Sequence, residues 1–190
     1  MKSAGRWIVA LLVGLVVLAG CGSPAGGDSS ASPSSDLLER YGLASLTTAE
    51  IVEKLDQSPE TRPTKLAGSV RPDQLLLSEG DEQLALDMPD DQFYLSVAPY
   101  LTHTHDCFYH NTGSCQGELV NTQVHVTITT ADGIVIVNRD ATTYANGFIG
   151  FWVPTGSSGT ITVSQDGKSG TVPFATGDQD ATCITTLKLV

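Results

Sequence analysis

The C-terminal half of the chain consists of short segments in which apolar and polar side chains alternate. Val124, Val126 and Ile128 alternate with polar residues, and Asp132-Gly133 then turns the chain into another apolar run. Such alternation is typical of strands that bury one face, and Asp-Gly is a typical hairpin turn. Further strands are predicted over residues 148–153, 160–164, 168–174 and 182–190. Six or seven short strands without crossover helices favour an immunoglobulin-like antiparallel β-sandwich.

The residues before this region have a different pattern, which predicts a small helical and hairpin module. Asp36 is expected to cap a short helix that ends at Tyr41. Thr47 and Glu50 have the spacing of a capping box, which predicts the start of a second helix. Two leucine-rich runs flank residues 79–81 and predict a hairpin. The predicted fold class is therefore α+β, with this module followed by the sandwich.

Residues 1–20 have the organisation of an export signal. Lys2 and Arg6 precede a short apolar run, and Leu-Ala-Gly then places small residues before Cys21. The pattern resembles the bacterial lipobox, in which the cysteine is lipidated and the signal is cut just before it. A plain secretory signal or an uncleaved anchor helix is the alternative. We expect an exported lipoprotein that Cys21 anchors to the cell membrane, facing the periplasm or the extracellular side.

Composition shifts along the chain predict its organisation. Gly22 to Ser35 is nearly all Gly, Ser, Ala and Pro, which is typical of a flexible tether. The predicted segments are a signal peptide (1–20), a lipidated N-terminus and tether (21–35), a helical and hairpin module (36–92) and the sandwich (93–190).

The chain is acidic, with 21 acidic and 10 basic residues and a net charge of -11. Loss of Lys2 and Arg6 with the signal makes the charge of the mature protein -13. This balance excludes a nucleic-acid partner and electrostatic binding to anionic lipids. Contact with the membrane is therefore expected through the lipid anchor only.

Most residues that can bind a soft metal are concentrated in one stretch. It holds three of the four histidines and two of the four cysteines: His103, His105, Cys107, His110 and Cys115. Cys183 lies in the last predicted strand and shares strand parity with Leu187 and Leu189, so its sulfur is predicted to face inward with them. A terminal strand can lie beside an early strand in a sandwich, which would bring Cys183 to this stretch.

The ligand types indicate which metals fit. Thiolates with imidazoles suit copper or zinc, whereas calcium and magnesium prefer oxygen donors. Seven residues separate Cys107 from Cys115, which disfavours the short knuckle of a structural zinc finger. The mature chain retains only Met88, which excludes a methionine-rich Cu(I) site, and four histidines are too few for a copper–zinc dismutase centre. Because no hydrolase motif is present, we expect a metal-binding protein and not an enzyme.

The cysteines have an alternative use outside the cytoplasm, where disulfides form. Any two of Cys107, Cys115 and Cys183 could pair, and the simplest arrangement joins Cys115 to Cys183. Because three is odd, one thiol remains, which indicates reactivity or metal binding. A zinc-binding carrier and a disulfide-stabilised structural or interaction lipoprotein stay open as alternatives.

Five motifs are distinctive: Ser96-Val-Ala-Pro-Tyr100, His105-Asp-Cys107-Phe-Tyr-His110, Cys115-Gln-Gly117-Glu118, Ala145-Asn-Gly-Phe148 and Thr182-Cys183-Ile-Thr-Thr-Leu187. Together they resemble the CueP family of bacterial periplasmic copper-binding proteins, from about Leu37 to the C-terminus. The resemblance implies that copper is bound by Cys107, His110, Cys115 and Cys183, with His105 as a further ligand. It also implies copper sequestration and tolerance, thiol-dependent reduction of Cu(II) to Cu(I), and delivery to a superoxide dismutase.

A mechanism follows as a hypothesis from these residues. His103 and His105 are predicted to help capture Cu(II). Cys107, with Cys115 or Cys183, is predicted to supply one electron per thiolate as a disulfide closes. Cu(I) then stays on the remaining thiolate and His110, because Cu(I) prefers soft ligands.

Overall fold

The computed structural model describes residues 33–190, so the predicted signal peptide, Cys21 and most of the tether lie outside the described residues. The helices of the described part are α1 (Pro33–Arg40) and α2 (Thr48–Asp56). Its strands are β1 (Ala67–Val70), β2 (Gln74–Glu79), β3 (Glu82–Asp87), β4 (Gln92–Val97), β5 (His110–Asn111), β6 (Gln123–Thr130), β7 (Val135–Thr142), β8 (Ile149–Pro154), β9 (Ser158–Gln165), β10 (Lys168–Ala175) and β11 (Cys183–Ile184). Within residues 33–190, no helix is both long enough and apolar enough to span a bilayer.

The two helices differ in how well local signals predict their ends. Asp36 lies in the first turn of α1 and does not cap it, because the helix already begins at Pro33, a residue favoured at a first helical position. The prediction for α2 is confirmed. The side chain of Thr47 accepts from the backbone N–H of Glu50, and the Glu50 carboxylate accepts from the backbone N–H of Thr47. The buried face of α2 ends in a charged residue, Asp56.

The first sheet has the strand order β3-β2-β1-β5. The predicted hairpin is confirmed: β2 and β3 pair antiparallel, and Gly80 turns the chain with a positive φ of 59°. The helices pack on this sheet through one apolar cluster. Its buried members are Leu37, Leu43, Ile51, Val52, Leu66, Val70, Leu75, Leu77, Met88 and Tyr94.

The second and third sheets enclose the larger core. Their orders are β10-β9-β6-β7 and β11-β4-β8, and their facing side chains pack together, as Val126 and Ile161 do with Leu95 and Phe151. The mainly antiparallel strands agree with a β-sandwich. Tyr94, on the other face of β4, packs with the apolar cluster between the helices and the first sheet. β4 therefore supplies side chains to both cores. An immunoglobulin-like topology and a domain boundary at residue 92 stay predictions.

The C-terminal strand is shorter than predicted and runs parallel to its neighbour. β11 pairs with β4, with Cys183 opposite Ser96, although the strand pattern predicted an antiparallel sheet throughout. Cys183 is buried in a small cluster with Ala98, Cys115 and Phe148, whereas the leucines at 187 and 189 lie in the sandwich core. Cys183 faces inward as predicted, since it is only 3% exposed. The face shared with the two leucines is wrong, because regular strand geometry ends at residue 184 and parity does not extend past it.

Candidate metal centre

Two short strands bring distant residues to one place. β5 pairs with β1, so that His110 lies opposite Val70 of the first sheet. β11 pairs with β4, and the backbone N–H of Cys183 donates to the carbonyl of Phe108 over 3.1 Å. This bond places Cys183 next to the residue that precedes Phe108, which is Cys107.

Cys107 and Cys183 form a disulfide with a Cα–Cα distance of 5.7 Å, within the usual range. Of the three pairings that the sequence left open, the protein thus has this one and not the simplest one, which joins Cys115 to Cys183. Cys115 is instead the free, buried thiol. A turn that begins at Asn111 returns Cys115 to the other two sulfurs, and its Sγ lies 3.5 Å from Sγ of Cys107. One thiol thus remains unpaired among these three cysteines, as their odd number predicts.

His110 is fully buried, and its two ring nitrogens face different groups. Nε2 lies 2.7 Å from Oδ1 of Asp56, and Nδ1 lies 3.9 Å from Sγ of Cys183. The ring packs against Phe148 with centroids 4.6 Å apart. Because the carboxylate holds Nε2 as the donor, Nδ1 is the nitrogen that faces the sulfurs.

Asp56 is the residue that sequence patterns missed. Its carboxylate also accepts from the Tyr94 hydroxyl and the Asn146 amide, each over 2.7 Å, and its side chain is fully buried. The one available signal is its spacing: Asp56 follows Val52 by four residues and therefore lies on the buried face of α2.

Asp56 and His110 form a buried pair in which each group shifts the pKa of the other. Burial alone lowers the pKa of His110, but the charge and the hydrogen bond of Asp56, with a smaller effect of Cys115, outweigh burial and raise that pKa above its ordinary value. Burial alone raises the pKa of Asp56, but charged His110 and the hydrogen bonds lower it. The two groups therefore stabilise each other as an ion pair in the metal-free protein.

His105 lies on the outer side of the sulfurs and is half-buried. Its ring meets Phe148 edge-on, with centroids 6.0 Å apart. Its Nε2 is buried and has no hydrogen-bond partner, which is unusual for a buried polar atom. A metal ion bound at this nitrogen would remove that deficiency.

The donors form two triplets that share one sulfur. The first is His105, Cys107 and Cys115, and the second is His110, Cys115 and Cys183; within each, the ligand atoms lie within 4.8 Å of one another. All five predicted ligands are thus brought together, and imidazole with thiolate suits copper or zinc.

The remaining histidines lie apart from these triplets. The side chain of His103 is 75% exposed, and its Nδ1 lies 3.4 Å from Oε1 of Glu118. Glu118 accepts backbone N–H groups of the same loop, and the Thr102 hydroxyl and these bonds lower its pKa to about 2. His125 is exposed on β6 beside Asp140.

The fold and the donor set define a β-rich protein with a buried candidate site for a soft metal ion. The chain belongs to the CueP family: the model of "Periplasmic copper-binding protein CueP" matches residues 50–188, which confirms the resemblance seen in the sequence motifs. The chain is also similar to the crystal structure of S.CueP, with 42% identity and a TM-score of 0.82. The match covers 84% of this chain and 99% of that chain. The comparison with curated proteins gave no match.

Proposed function

We propose that this protein sequesters copper outside the cytoplasm and holds it as Cu(I) on cysteine sulfurs and imidazoles. The ligands are Cys107, Cys115, Cys183, His110 and His105. The observation that carries the proposal is the meeting of three sulfurs and two imidazoles around buried Cys115. Membership of a family described as periplasmic copper-binding proteins supports copper as the cargo.

Reduction of Cu(II) belongs to the same proposal. Cys107 and Cys183 each give one electron as their sulfurs join, so that two Cu(II) ions and two thiolates yield two Cu(I) ions and one disulfide. The bond between these two cysteines and the free thiol of Cys115 support this division of roles. Once this disulfide has closed, Cys115 and His110 retain Cu(I), which prefers soft ligands. All five ligands are available when copper reaches the reduced protein as Cu(I). Exposed His103, together with His105, helps to capture Cu(II).

The test is to mix fully reduced protein with Cu(II) and a chromophoric Cu(I) chelator. Cys115→Ser retains both electron-donating cysteines and is expected to form two Cu(I) ions per protein. The double variant C107S/C183S has one thiol in the cluster and is expected not to form them. Full Cu(I) formation by the double variant would contradict the assignment. His125→Ala, on an exposed strand away from the cluster, is the matched control.

The destination of the copper is part of the proposal as well. The protein is held at the membrane by a lipid on Cys21, contributes to copper tolerance and passes Cu(I) to a partner such as a superoxide dismutase. Mass spectrometry of the mature N-terminus tests the anchor, since a lipidated Cys21 carries the added mass of the lipid. Transfer is tested by activation of a metal-free dismutase with the copper-loaded protein.

Zinc is the second candidate cargo, because the same sulfurs and imidazoles suit it. Zinc accepts no electron, so it cannot close the disulfide. Competition between Cu(I) and zinc for the reduced protein separates the two functions. Displacement of Cu(I) by equimolar zinc would favour a zinc carrier.

A further inference from the structure

We propose that copper has two positions in this cluster, an outer and an inner one, and that Cu(I) moves between them while it stays bonded to Cys115. The outer position consists of His105, Cys107 and Cys115, and the inner position of His110, Cys115 and Cys183. This inference rests on the proposed function and adds a route by which the ion enters and leaves.

The distances fit two three-coordinate positions. A soft cation bonded to nitrogen and sulfur at about 2.0–2.3 Å holds three planar donors about 3.5–4 Å apart. The sulfurs of Cys107 and Cys115 are 3.5 Å apart in the outer triplet. In the inner triplet, Nδ1 of His110 and the sulfur of Cys183 are 3.9 Å apart. All donor pairs within a triplet lie within 4.8 Å of each other. After reduction of the disulfide, movements of about 1 Å are therefore enough for either triplet to close on an ion.

Burial distinguishes the two positions. His110, Cys115 and Cys183 are all buried, with exposed fractions of 0%, 8% and 3%. His105 and Cys107 are only half-buried. An ion at the outer position is therefore closer to solvent and to an external ligand, whereas an ion at the inner position is shielded.

The surroundings of the two imidazoles also differ. Asp56 fixes the ring of His110 through Nε2, so the inner nitrogen is already oriented. His105 has no such partner, and its buried Nε2 makes no hydrogen bond. The inner position is consequently the stronger holder of Cu(I), and the outer position is the more readily exchanged one.

The shared sulfur connects the positions. An ion that exchanges Cys107 and His105 for Cys183 and His110 keeps its bond to Cys115 throughout, and copper stays Cu(I), so no electron is transferred. Because imidazole and cysteine bind metals in their deprotonated forms, Nδ1 of His110 and the Cys183 thiol release their protons as the ion arrives, and Cys107 and His105 can take up protons as it leaves. The disulfide takes one sulfur from each position. Both positions are therefore complete only in the reduced protein.

The experiment uses reduced full-length protein with one equivalent of Cu(I) and two matched variants. Cys107→Ser retains the inner triplet and Cys183→Ser the outer one. His105→Ala is then added to each variant. In the Cys183→Ser background, we expect His105→Ala to remove the nitrogen ligand from the X-ray absorption spectrum. We also expect it to weaken Cu(I) binding at least about tenfold, because losing a group that merely orients a metal ligand already costs about that much affinity. In the Cys107→Ser background the nitrogen is retained.

Release kinetics provide the second measurement. With excess Cu(I) chelator, Cys107→Ser is expected to release copper about tenfold more slowly than the wild type, because copper leaves the protein through the outer position, which this variant lacks. A His105→Ala effect that is equal in both backgrounds, or equal release rates, would overturn the two-position model in favour of one site. If reduced wild-type protein does not bind Cu(I) at all, the proposed function itself fails. The His105 variants distinguish two positions from one site without disturbing the fold, because they leave the buried pair of Asp56 and His110 intact.

Discussion

Oδ1 of Asp56 lies 2.7 Å from Nε2 of His110, and both side chains are fully buried. The contact joins the end of α2 to β5, 54 residues further along the chain. It gives α2 a role in the candidate metal centre, because the carboxylate determines which imidazole nitrogen faces the cysteine sulfurs.

Asp56→Asn is expected to weaken Cu(I) binding by about 10- to 100-fold, the usual cost of losing a group that orients a metal-bound imidazole. The amide keeps the shape of the side chain but can present its NH₂ group to Nε2, which frees His110 to rotate or change tautomer. Competition with a chromophoric Cu(I) chelator measures the change. Glu39→Gln removes an acidic charge from the exposed surface of α1 and serves as the control. Equal affinity of both variants would refute the orienting role of Asp56.

The stability of the metal-free protein is expected to depend on pH through the same pair. The raised pKa of His110 gives stability that is complete below its ordinary value of 6.5 and is lost as the pH rises through the folded pKa. The lowered pKa of Asp56 gives stability that is complete above 3.8 and is lost as the pH falls through its folded pKa. The pair therefore contributes most between these two values.

Urea unfolding of wild-type and Asp56→Asn protein measures this contribution. At pH 6 the wild type is expected to be more stable by roughly 3 kcal/mol, the scale on which a buried pair is broken. The difference is expected to shrink as the pH rises from 6.5 toward 9. A difference that grows over this range would show that charged His110 does not stabilise the fold.

Thiol mapping is expected to distinguish the three cysteines of the cluster. In the oxidised native protein, alkylation followed by mass spectrometry should find Cys107 and Cys183 joined and Cys115 unmodified until the chain unfolds, because Cys115 is only 8% exposed. After reduction and unfolding, all three should react. A peptide that links Cys115 to Cys183 would contradict the observed pairing.

Reduction is expected to destabilise the protein. The disulfide joins residues 76 apart, and closure of such a loop stabilises a fold by about 4.5 kcal/mol in the chain-entropy model. Thermal or urea unfolding with and without reductant measures the loss. Cys107→Ser is the control, since its stability should not respond to reductant in this way. If reductant destabilised the wild type and Cys107→Ser equally, the loss of stability would not come from this disulfide.

Local patterns in the sequence were sufficient for much of the scaffold. The capping box of Thr47 and Glu50, the hairpin around Gly80 and the alternating strands formed as predicted, because each depends on contacts between residues close in the chain. The types of ligand were also apparent, since cysteines and histidines cluster between residues 103 and 115.

Only the tertiary structure decided how these residues meet. The pairing of β11 with β4 joined Cys183 to Cys107 and left Cys115 free, and the pairing of β5 with β1 directed His110 toward Asp56. Sequence alone determined which side chains could bind a soft metal and where the chain turns. Pairings between strands that lie forty or more residues apart in the chain depend on how whole sheets pack, so local sequence patterns do not predict them.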